Sequence, residues 1–306
     1  MPRWPARSQA SRDLLMINGD TFQPEHGEST ALKLRDVNTV FRGIGEIAFS
    51  IEPGQTRVYE TVSGRDLAEF ALIQVIAYPR PTATLLSAIS SYLRHQGRPE
   101  LDATGISAPT KLYQLMMLAQ SGLPVPATVY LPGRLLRSSF AAIADQLGLP
   151  FVLKTMHGSG GRLNFLINTE ADFERLTGDP ADAQVAFLAQ QFVANNGTFR
   201  ILVFGRDIRI VMHRCSTDGT HLTNTERGSH ATLFESESFD AEVMAMVARA
   251  TSLMSCEVAG VNVVQDRHTQ QWYLLEVNCA PAIGSGMFAA QKTRAYAEYL
   301  QRRLSA

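Results

Sequence analysis

The sequence predicts a mixed α/β and α+β chain of three lobes, and three observations support this. The chain has 306 residues, more than one small domain normally holds. Hydrophobic residues make up 45% and charged residues 19%, as in folded globular proteins. Strands alternate with helices early in the chain, whereas later strands meet through short turns. The predicted lobes cover residues 1–108, 109–194 and 195–306.

The first lobe is predicted to be a small α/β unit with a parallel sheet. Residues 14–18, 39–42 and 72–78 are apolar runs bounded by Gly, Pro or Asn, which is typical of strands. Residues 82–95 have apolar side chains at helical spacing and end near Gly97. Because no glycine fingerprint follows the first strand, we expect no dinucleotide site in this lobe.

The second lobe is predicted to be α+β. Thr110 is a suitable N-cap for a helix that ends at Gly122. A further helix is expected near 138–147, and another short helix after Thr169. The predicted strands cover 124–130, 150–154, 164–167 and 186–193.

The third lobe is predicted to contain longer hairpins. Residues 201–212 form a strand–turn–strand pattern, and residues 260–264 pair with 272–278 across a polar turn. Helices are expected near 239–255 and 288–304, and the polar stretch 216–230 has no hydrophobic period.

Charge and cysteine content exclude several classes of protein. A net charge of −1 argues against a strongly basic nucleic-acid binder, so no nucleic-acid partner is expected. The cysteines (Cys215, Cys256 and Cys279) lie far apart and support neither a disulfide framework nor a zinc site. Without an apolar run of membrane-spanning length or a signal peptide, we expect a cytoplasmic protein with no membrane partner.

Glu276 and Asn278 are candidate metal ligands. Strand residues two apart face the same side, so these two oxygen-bearing side chains lie together at a strand end. Hard oxygen ligands suit Mg²⁺. The alternative is that the acid and the amide lie on the solvent-exposed face of an edge hairpin. Their apolar neighbours argue against this, because burying a carboxylate without a compensating charge costs free energy.

Lys154 and the glycines after it are a candidate phosphate site. The lysine ends a predicted strand, and Gly158, Ser159, Gly160 and Gly161 follow. Glycines let backbone N–H groups approach phosphate oxygens, and lysine supplies a point charge. A glycine-rich β-turn without a ligand is the alternative. Only four of the 28 basic residues are lysines (Lys33, Lys111, Lys154, Lys292), which suggests that some sites require an ammonium group.

A third group of polar residues follows the first predicted hairpin of the third lobe. Arg214, Asn224 and Arg227 could together hold a phosphoryl group and its developing charge. A solvated loop is the alternative for this group on its own.

These segments, in this order, resemble the ATP-grasp superfamily, and within it the RimK-type ligases, which add glutamate to a ribosomal protein. The resemblance covers roughly residues 109–290 and implies the three-lobed ATP-grasp fold. It implies that Lys111 and Lys154 hold ATP phosphates beneath the mobile loop Gly158–Gly161. It further implies an adenine-binding hinge at Gln190, Gln191, Phe192 and Val193.

The resemblance also implies roles for residues of the third lobe. Arg214 and Arg227 match the arginines that face the γ-phosphate and the acyl phosphate, and Lys154 acts with them in catalysis. Arg200 and Asn224 belong to the nucleotide site. Glu276, Asn278 and Asn262 fall at the ligand positions for Mg²⁺, with Mn²⁺ as a possible substitute.

The sequence departs from the RimK-type pattern at several positions. Asn262 stands where an Asp ligand is usual, which removes one negative charge from the metal site. Thr198 stands in place of an Asp, and Leu163 replaces a glycine. Residues 280–282 replace the usual ending in Pro-Gly.

The resemblance implies an ATP-dependent, ADP-forming carboxylate–amine ligase that acts through an acyl phosphate. Its substrate would be an amino acid, a peptide or a protein, and it would form a homodimer or homotetramer. The alternative is a catalytically degenerate nucleotide-binding or scaffold protein, which Asn262 and Thr198 favour. A peptide-modifying enzyme that joins side chains remains a third interpretation.

Overall fold

The computed structural model describes most of the chain. The described residues are 13–18, 34–76, 83–98, 100–101, 110–156, 164–177, 186–216, 230–236 and 239–305.

The N-terminal region contains a four-stranded parallel sheet, as predicted. Its order is β2-β1-β5-β6, and all three pairings are parallel. The strands and the helix that packs beside them are β1 (Asp13–Asn18), β2 (Asn38–Gly43), β5 (Leu72–Ile76), β6 (Glu100–Leu101) and α1 (Ala83–His95).

A hairpin inserted into this region was not predicted from the sequence. Strands β3 (Ile47–Glu52) and β4 (Gln55–Glu60) pair antiparallel, with Glu52 opposite Gln55. Gly54 takes a φ of +78° in the two-residue turn, a conformation that glycine adopts without steric cost. The Pro53-Gly54 dipeptide is a turn signal that could have identified this hairpin.

The central region is the predicted α+β unit. A four-stranded antiparallel sheet has the order β7-β10-β8-β9. The elements are α2 (Lys111–Gln120), β7 (Thr128–Tyr130), α3 (Gly133–Leu136), α4 (Phe140–Leu147), β8 (Phe151–Thr155), β9 (Asn164–Ile167), α5 (Glu170–Thr177) and β10 (Phe187–Gln191). The predicted cap is confirmed, because the Tyr113 amide donates to Thr110 Oγ1 at 3.2 Å.

The C-terminal region is built on a five-stranded antiparallel sheet of order β13-β12-β11-β14-β15. Its elements are β11 (Thr198–Phe204), β12 (Asp207–Cys215), β13 (His230–Phe234), α6 (Ala241–Leu253), β14 (Val258–Gln265), β15 (Trp272–Asn278) and α7 (Ala289–Ser305). Strand β13 was not predicted from the sequence. It is a short edge strand in which only Ala231 is buried, so it has little hydrophobic pattern.

Each face of the C-terminal sheet packs against a helix. On one face α6 covers a core that includes Val261, Val263 and Val277. On the other face α7 packs with Leu202 and Phe204, and the same core reaches Leu14 of the N-terminal sheet. The helix α7 therefore lies between the N-terminal and C-terminal sheets.

The structure contains a disulfide that the number and spacing of the cysteines did not indicate. Cys256 and Cys279 are joined, with their Cα atoms 5.7 Å apart. Cys256 precedes β14 and Cys279 follows β15, and the antiparallel pairing of these strands brings the two positions to one end. The predicted pairing of residues 260–264 with 272–278 is the signal that could have revealed this proximity. Cys215 is a free thiol.

Within the described ranges, every helix is too short or too polar to cross a membrane.

Candidate active site

One end of the C-terminal sheet carries a row of polar side chains on the face that packs against α7. The row consists of Arg214 on β12, Arg200 on β11, Asn262 on β14, and Glu276 and Asn278 on β15. Arg200 lies opposite Asn262, and Asn262 lies opposite Glu276. The sheet register therefore aligns residues that are far apart in the sequence.

A bulge in β15 sets the direction of Glu276. The register shifts between Asn262 and Val263, so Asn262 pairs with Glu276 but Val263 pairs with Leu274. Leu274 and Val277 both lie in the core beneath α6. With strict alternation, the side chains of Leu274 and Glu276 would lie on the same face of the sheet. The extra residue in the bulge places them on opposite faces.

Asn262 forms hydrogen bonds with both arginines of the row and with the Glu276 carboxylate. Its Oδ1 atom accepts hydrogen bonds from Arg200 Nη1 at 3.1 Å and from Arg214 Nη2 at 2.9 Å. Its Nδ2 atom donates to Glu276 Oε2 at 3.4 Å. Because the amide oxygen is engaged by two guanidiniums, Glu276 and Asn278 are better placed than Asn262 to bind a metal ion.

Lys154 enters the same region from the central sheet. Its side chain is buried, and its Nζ donates to Gln190 Oε1 at 2.7 Å. Gln190 Nε2 in turn donates to Thr128 Oγ1 at 2.8 Å, which orients the amide. Burial lowers the pKa of Lys154 to about 8, while the charge of Glu276 opposes this shift and that of Lys111 adds to it. Lys154 and Glu276 therefore lie close enough to interact.

Helix α2 connects the central and C-terminal sheets. Lys111 is its first residue, and its Nζ donates to the Thr155 carbonyl at 3.4 Å. One turn later, the buried Gln114 accepts a hydrogen bond from the Val277 amide at 3.0 Å. Sequence reasoning missed Gln114. Burying a side-chain amide among apolar neighbours costs free energy unless the amide forms hydrogen bonds. A glutamine directly before Leu115 in the predicted helix is therefore the signal that could have identified this residue.

The remaining predicted site residues are only partly described. Gln191 is the last residue of β10, and its backbone amide donates to the Ala127 carbonyl at 2.8 Å. Phe192 and Val193 follow this strand. The predicted residues Gly158, Ser159, Gly160, Gly161, Asn224 and Arg227 lie outside the described residues.

The electrostatics of the site are dominated by positive charge. Burial lowers the pKa of Arg214 to about 10, the neighbouring charge of Arg200 lowers it further, and Glu276 opposes the shift. Buried like charges disfavour one another, and an anion that binds between them relieves this cost. The site is therefore suited to an anionic ligand.

The side-chain oxygens of Glu276 and Asn278 would suit a Mg²⁺ ion that is held largely by a bound anion. Across the described ranges, no cluster of three or more His, Cys, Asp or Glu could hold a metal by itself. Glu276 and Asn278 nevertheless lie on the same face at the end of β15. Mg²⁺ commonly takes one or two protein oxygens and completes its shell with phosphates and water.

Replacing Gly260 with alanine is expected to displace Arg200 without unfolding the protein. A Cβ at residue 260 would lie 2.4 Å from Arg200 Cζ, so the flexible guanidinium must move and lose its bond to Asn262. We expect the rate of the ADP-forming reaction that the ATP-grasp resemblance implies to fall at least ~10-fold, since one preorganised donor is typically worth more than this. ADP release and the melting temperature measure the two effects.

The matched control for this substitution is Gly45→Ala, because a Cβ at residue 45 meets nothing within 4 Å. Equal turnover in the two variants would show that the position of Arg200 does not affect the reaction.

Comparisons with known proteins identify the family and the fold of the chain. The RimK-like ATP-grasp domain family model matches residues 108–295. A probable alpha-L-glutamate ligase of Alkalilimnicola ehrlichii is 29% identical over 175 residues, which are 56% of each chain. A second, from Pasteurella multocida, is 25% identical over 256 residues, 82% of this chain and 75% of that protein. The chain thus matches little more than half the length of the first of these relatives.

A solved structure shows the same fold. The ATP-grasp ligase PsnB, complexed with minimal precursor, Mg and ADP, aligns with a TM-score of 0.69 at 15% identity. The alignment covers 98% of this chain and 99% of PsnB. This likeness confirms the predicted ATP-grasp fold.

Proposed function

Because the chain belongs to the RimK-like ATP-grasp family, we propose that it is an ATP-dependent, ADP-forming carboxylate–amine ligase. The observation that carries this proposal is that helix α2 contacts both the Thr155 carbonyl, next to Lys154, and the Val277 amide, next to Glu276. Cations that suit phosphate and a carboxylate that suits a metal ion therefore belong to one site. The named activities of its relatives support this choice of reaction.

The reaction proceeds in two steps, and neither needs a nucleophile from the protein. A substrate carboxylate oxygen attacks the γ-phosphorus of ATP, which forms an acyl phosphate and releases ADP. An amine then attacks the acyl carbon and loses a proton, and inorganic phosphate leaves as the amide forms. Catalysis consists of positioning and charge stabilisation.

The two lysines are proposed to hold the phosphates. Lys154 is fixed by Gln190, and Lys111 lies on the adjacent helix start, so both ammonium groups are in place before ATP binds. Arg214, fixed by Asn262, stabilises the transferred phosphoryl group. Because these groups need no reorganisation during the reaction, they act efficiently on the developing charge.

Mg²⁺, or Mn²⁺ in its place, would be held by Glu276 and Asn278. When bound, the ion neutralises charge on the β- and γ-phosphates. The Asn278 oxygen accepts one hydrogen bond from the Ala280 amide at 2.8 Å, which fixes the side chain and leaves a second lone pair.

The proposal assigns further roles on the basis of the family resemblance. Gly158, Ser159, Gly160 and Gly161 would cover the phosphates, and the segment from Gln190 to Val193 would bind adenine. Asn224 and Arg227 would act beside Arg214.

The substrate is proposed to be an amino acid or a peptide. The named relatives are glutamate ligases, and PsnB was solved with its precursor, so both substrate sizes have support among similar proteins.

A screen for ADP release tests the proposed reaction. Purified protein with ATP and Mg²⁺ is incubated with L-glutamate, dipeptides and carboxylate-rich peptides, each with and without a separate amine. We expect ADP release that depends on substrate, together with a product whose mass equals that of the two substrates less one water. Tight ADP binding without substrate-dependent release would instead favour the nucleotide-binding scaffold protein.

A further inference from the structure

Gln114 is a buried polar residue to which the proposed mechanism gives no role. It lies in α2, and only 6% of its surface is exposed. Its Oε1 atom accepts a hydrogen bond from the Val277 amide at 3.0 Å, which joins residues 163 positions apart in the chain. Val277 stands between Glu276 and Asn278, the two proposed ligands of Mg²⁺. Gln114 therefore contacts the backbone of the segment that carries both ligands.

Strand β15 lies at the edge of the C-terminal sheet, beside β14. Backbone groups on its outer side therefore need hydrogen-bond partners from outside the sheet. Helix α2 and the segment after it supply two of them. The Gln114 side chain accepts from the Val277 amide, and the Pro124 carbonyl accepts from the Leu274 amide at 2.8 Å. Of these two bonds, the one to Gln114 lies beside the proposed ligands.

The hydrogen bond to Gln114 fixes the peptide group that precedes Val277. This group is planar and includes the Cα atoms of Glu276 and Val277. The Val277 side chain is fully buried in the core beneath α6, so the strand is held on this side as well. The plane and the buried side chain together set the direction in which Glu276 leaves the backbone.

The Glu276 carboxylate is restrained only weakly by its side-chain contact with Asn262. Its Oε2 atom accepts from Asn262 Nδ2 at 3.4 Å, which is long for a hydrogen bond. The bond from the Val277 amide to Gln114 is shorter, at 3.0 Å. The backbone contact is therefore the stronger restraint on the position of this ligand.

The same turn of α2 also contacts the proposed phosphate site. Lys111 lies three residues before Gln114, so the two side chains share a face of the helix. Lys111 Nζ donates to the carbonyl of Thr155, the residue after Lys154. Because a helical turn has a fixed rise of about 5.4 Å, α2 sets the spacing between these two contacts.

We propose that Gln114 is a positioning residue that holds the Mg²⁺ ligands Glu276 and Asn278 in place relative to the phosphate-binding lysines. This inference rests on the proposed ligase function, and Gln114 acts through the Val277 backbone. Residues that orient metal ligands typically change metal affinity about 10–100-fold when they are replaced. An apolar residue at position 114 would leave the buried Val277 N–H unpaired, and the strand end would shift to find another partner.

Replacing Gln114 with methionine is expected to raise the Mg²⁺ requirement for ADP binding at least ~10-fold. This requirement is the Mg²⁺ concentration at which the strengthening of ADP binding is half-maximal. Methionine has a similar length, but its thioether is only a weak acceptor. ADP affinity without Mg²⁺ should stay within about twofold of the wild type, since the lysines are unchanged. Isothermal titration calorimetry with ADP at a series of Mg²⁺ concentrations measures both quantities.

A conservative variant separates positioning from a merely structural role. In Gln114→Glu a carboxylate oxygen can accept the same hydrogen bond, so the Mg²⁺ requirement should be no higher than in the wild type. A merely structural role predicts the reverse order, because burying a carboxylate costs more than burying a thioether. If Gln114→Met does not fold, Gln114→Asn replaces it, since the shorter side chain withdraws the oxygen by one methylene group.

Leu118→Ala is the control for destabilisation of the same helix. It removes an apolar contact with the core beneath α6 and should lower the melting temperature without changing the Mg²⁺ requirement. An equal Mg²⁺ requirement in Gln114→Met and the wild type would overturn the positioning role and leave the ligase function intact. An equal rise in Gln114→Met and Leu118→Ala would overturn it too. A wild type that binds no ADP at any Mg²⁺ concentration would refute the ligase function, and this inference with it.

Discussion

Replacing Lys154 with methionine is expected to weaken ATP binding roughly 30- to 200-fold. A charge-assisted hydrogen bond is worth about 2–3 kcal/mol, and each 1.4 kcal/mol corresponds to about tenfold in affinity. The ammonium is already oriented by Gln190, so it binds phosphate at little further entropic cost. Calorimetry with a non-hydrolysable ATP analogue measures the loss.

The same substitution has a matched control and an independent check. Arg175→Met removes an exposed cation from the central region, 72% exposed, and should leave ATP affinity unchanged. In the wild type, the pKa of Lys154 is lowered to about 8, so the free protein loses this proton as the pH rises through that value. ATP affinity should therefore fall above pH 8 in the wild type but not in Lys154→Met. Unchanged affinity in Lys154→Met would contradict the phosphate assignment.

Replacing Glu276 with glutamine is expected to reduce turnover at least ~100-fold while the protein stays folded. Glutamine has the same shape but binds Mg²⁺ more weakly. Because mutation of a residue that only orients a metal ligand already costs about 10–100-fold, loss of the ligand itself should cost at least the upper end of that range. The loss also removes the negative charge that faces Lys154 and Arg214. ADP release measures turnover, and circular dichroism shows whether the fold is retained.

A metal titration separates a metal role of Glu276 from a structural role. In the wild type, Mg²⁺ should strengthen ADP binding, whereas in Glu276→Gln the ADP affinity should be the same with and without Mg²⁺. Glu298→Gln, which removes a half-exposed carboxylate from α7, is the control and should behave as the wild type does. If Mg²⁺ strengthens ADP binding equally in Glu276→Gln, the metal ligand lies elsewhere.

Local patterns in the sequence predicted most of the helices and strands. The cap at Thr110 begins a helix where expected, and the hairpin at 201–212 forms as β11 and β12. Such elements depend on neighbouring residues, on turn chemistry and on hydrophobic period, all of which are visible in one sequence. The hairpin of β3 and β4 also carries a visible Pro-Gly signal and could have been predicted.

Other features depend on residues distant in the sequence. The disulfide of Cys256 and Cys279 follows from strand pairing, which brings the two ends of a hairpin together. The contact of Gln114 with the Val277 amide depends on how α2 packs between two sheets. The contacts of Lys292 with the Ala282 and Ser285 carbonyls depend on the packing of α7.

The sequence by itself determined the fold class, the ATP-grasp resemblance and the candidate residues Lys111, Lys154, Arg214, Glu276 and Asn278. Only the tertiary structure decided that the Asn262 oxygen accepts hydrogen bonds from two arginines and that Lys292 is buried against two backbone carbonyls. The physical reason is that local periodicity specifies which face of an element is polar. Sheet register, the bulge in β15 and helix packing then decide which polar faces meet.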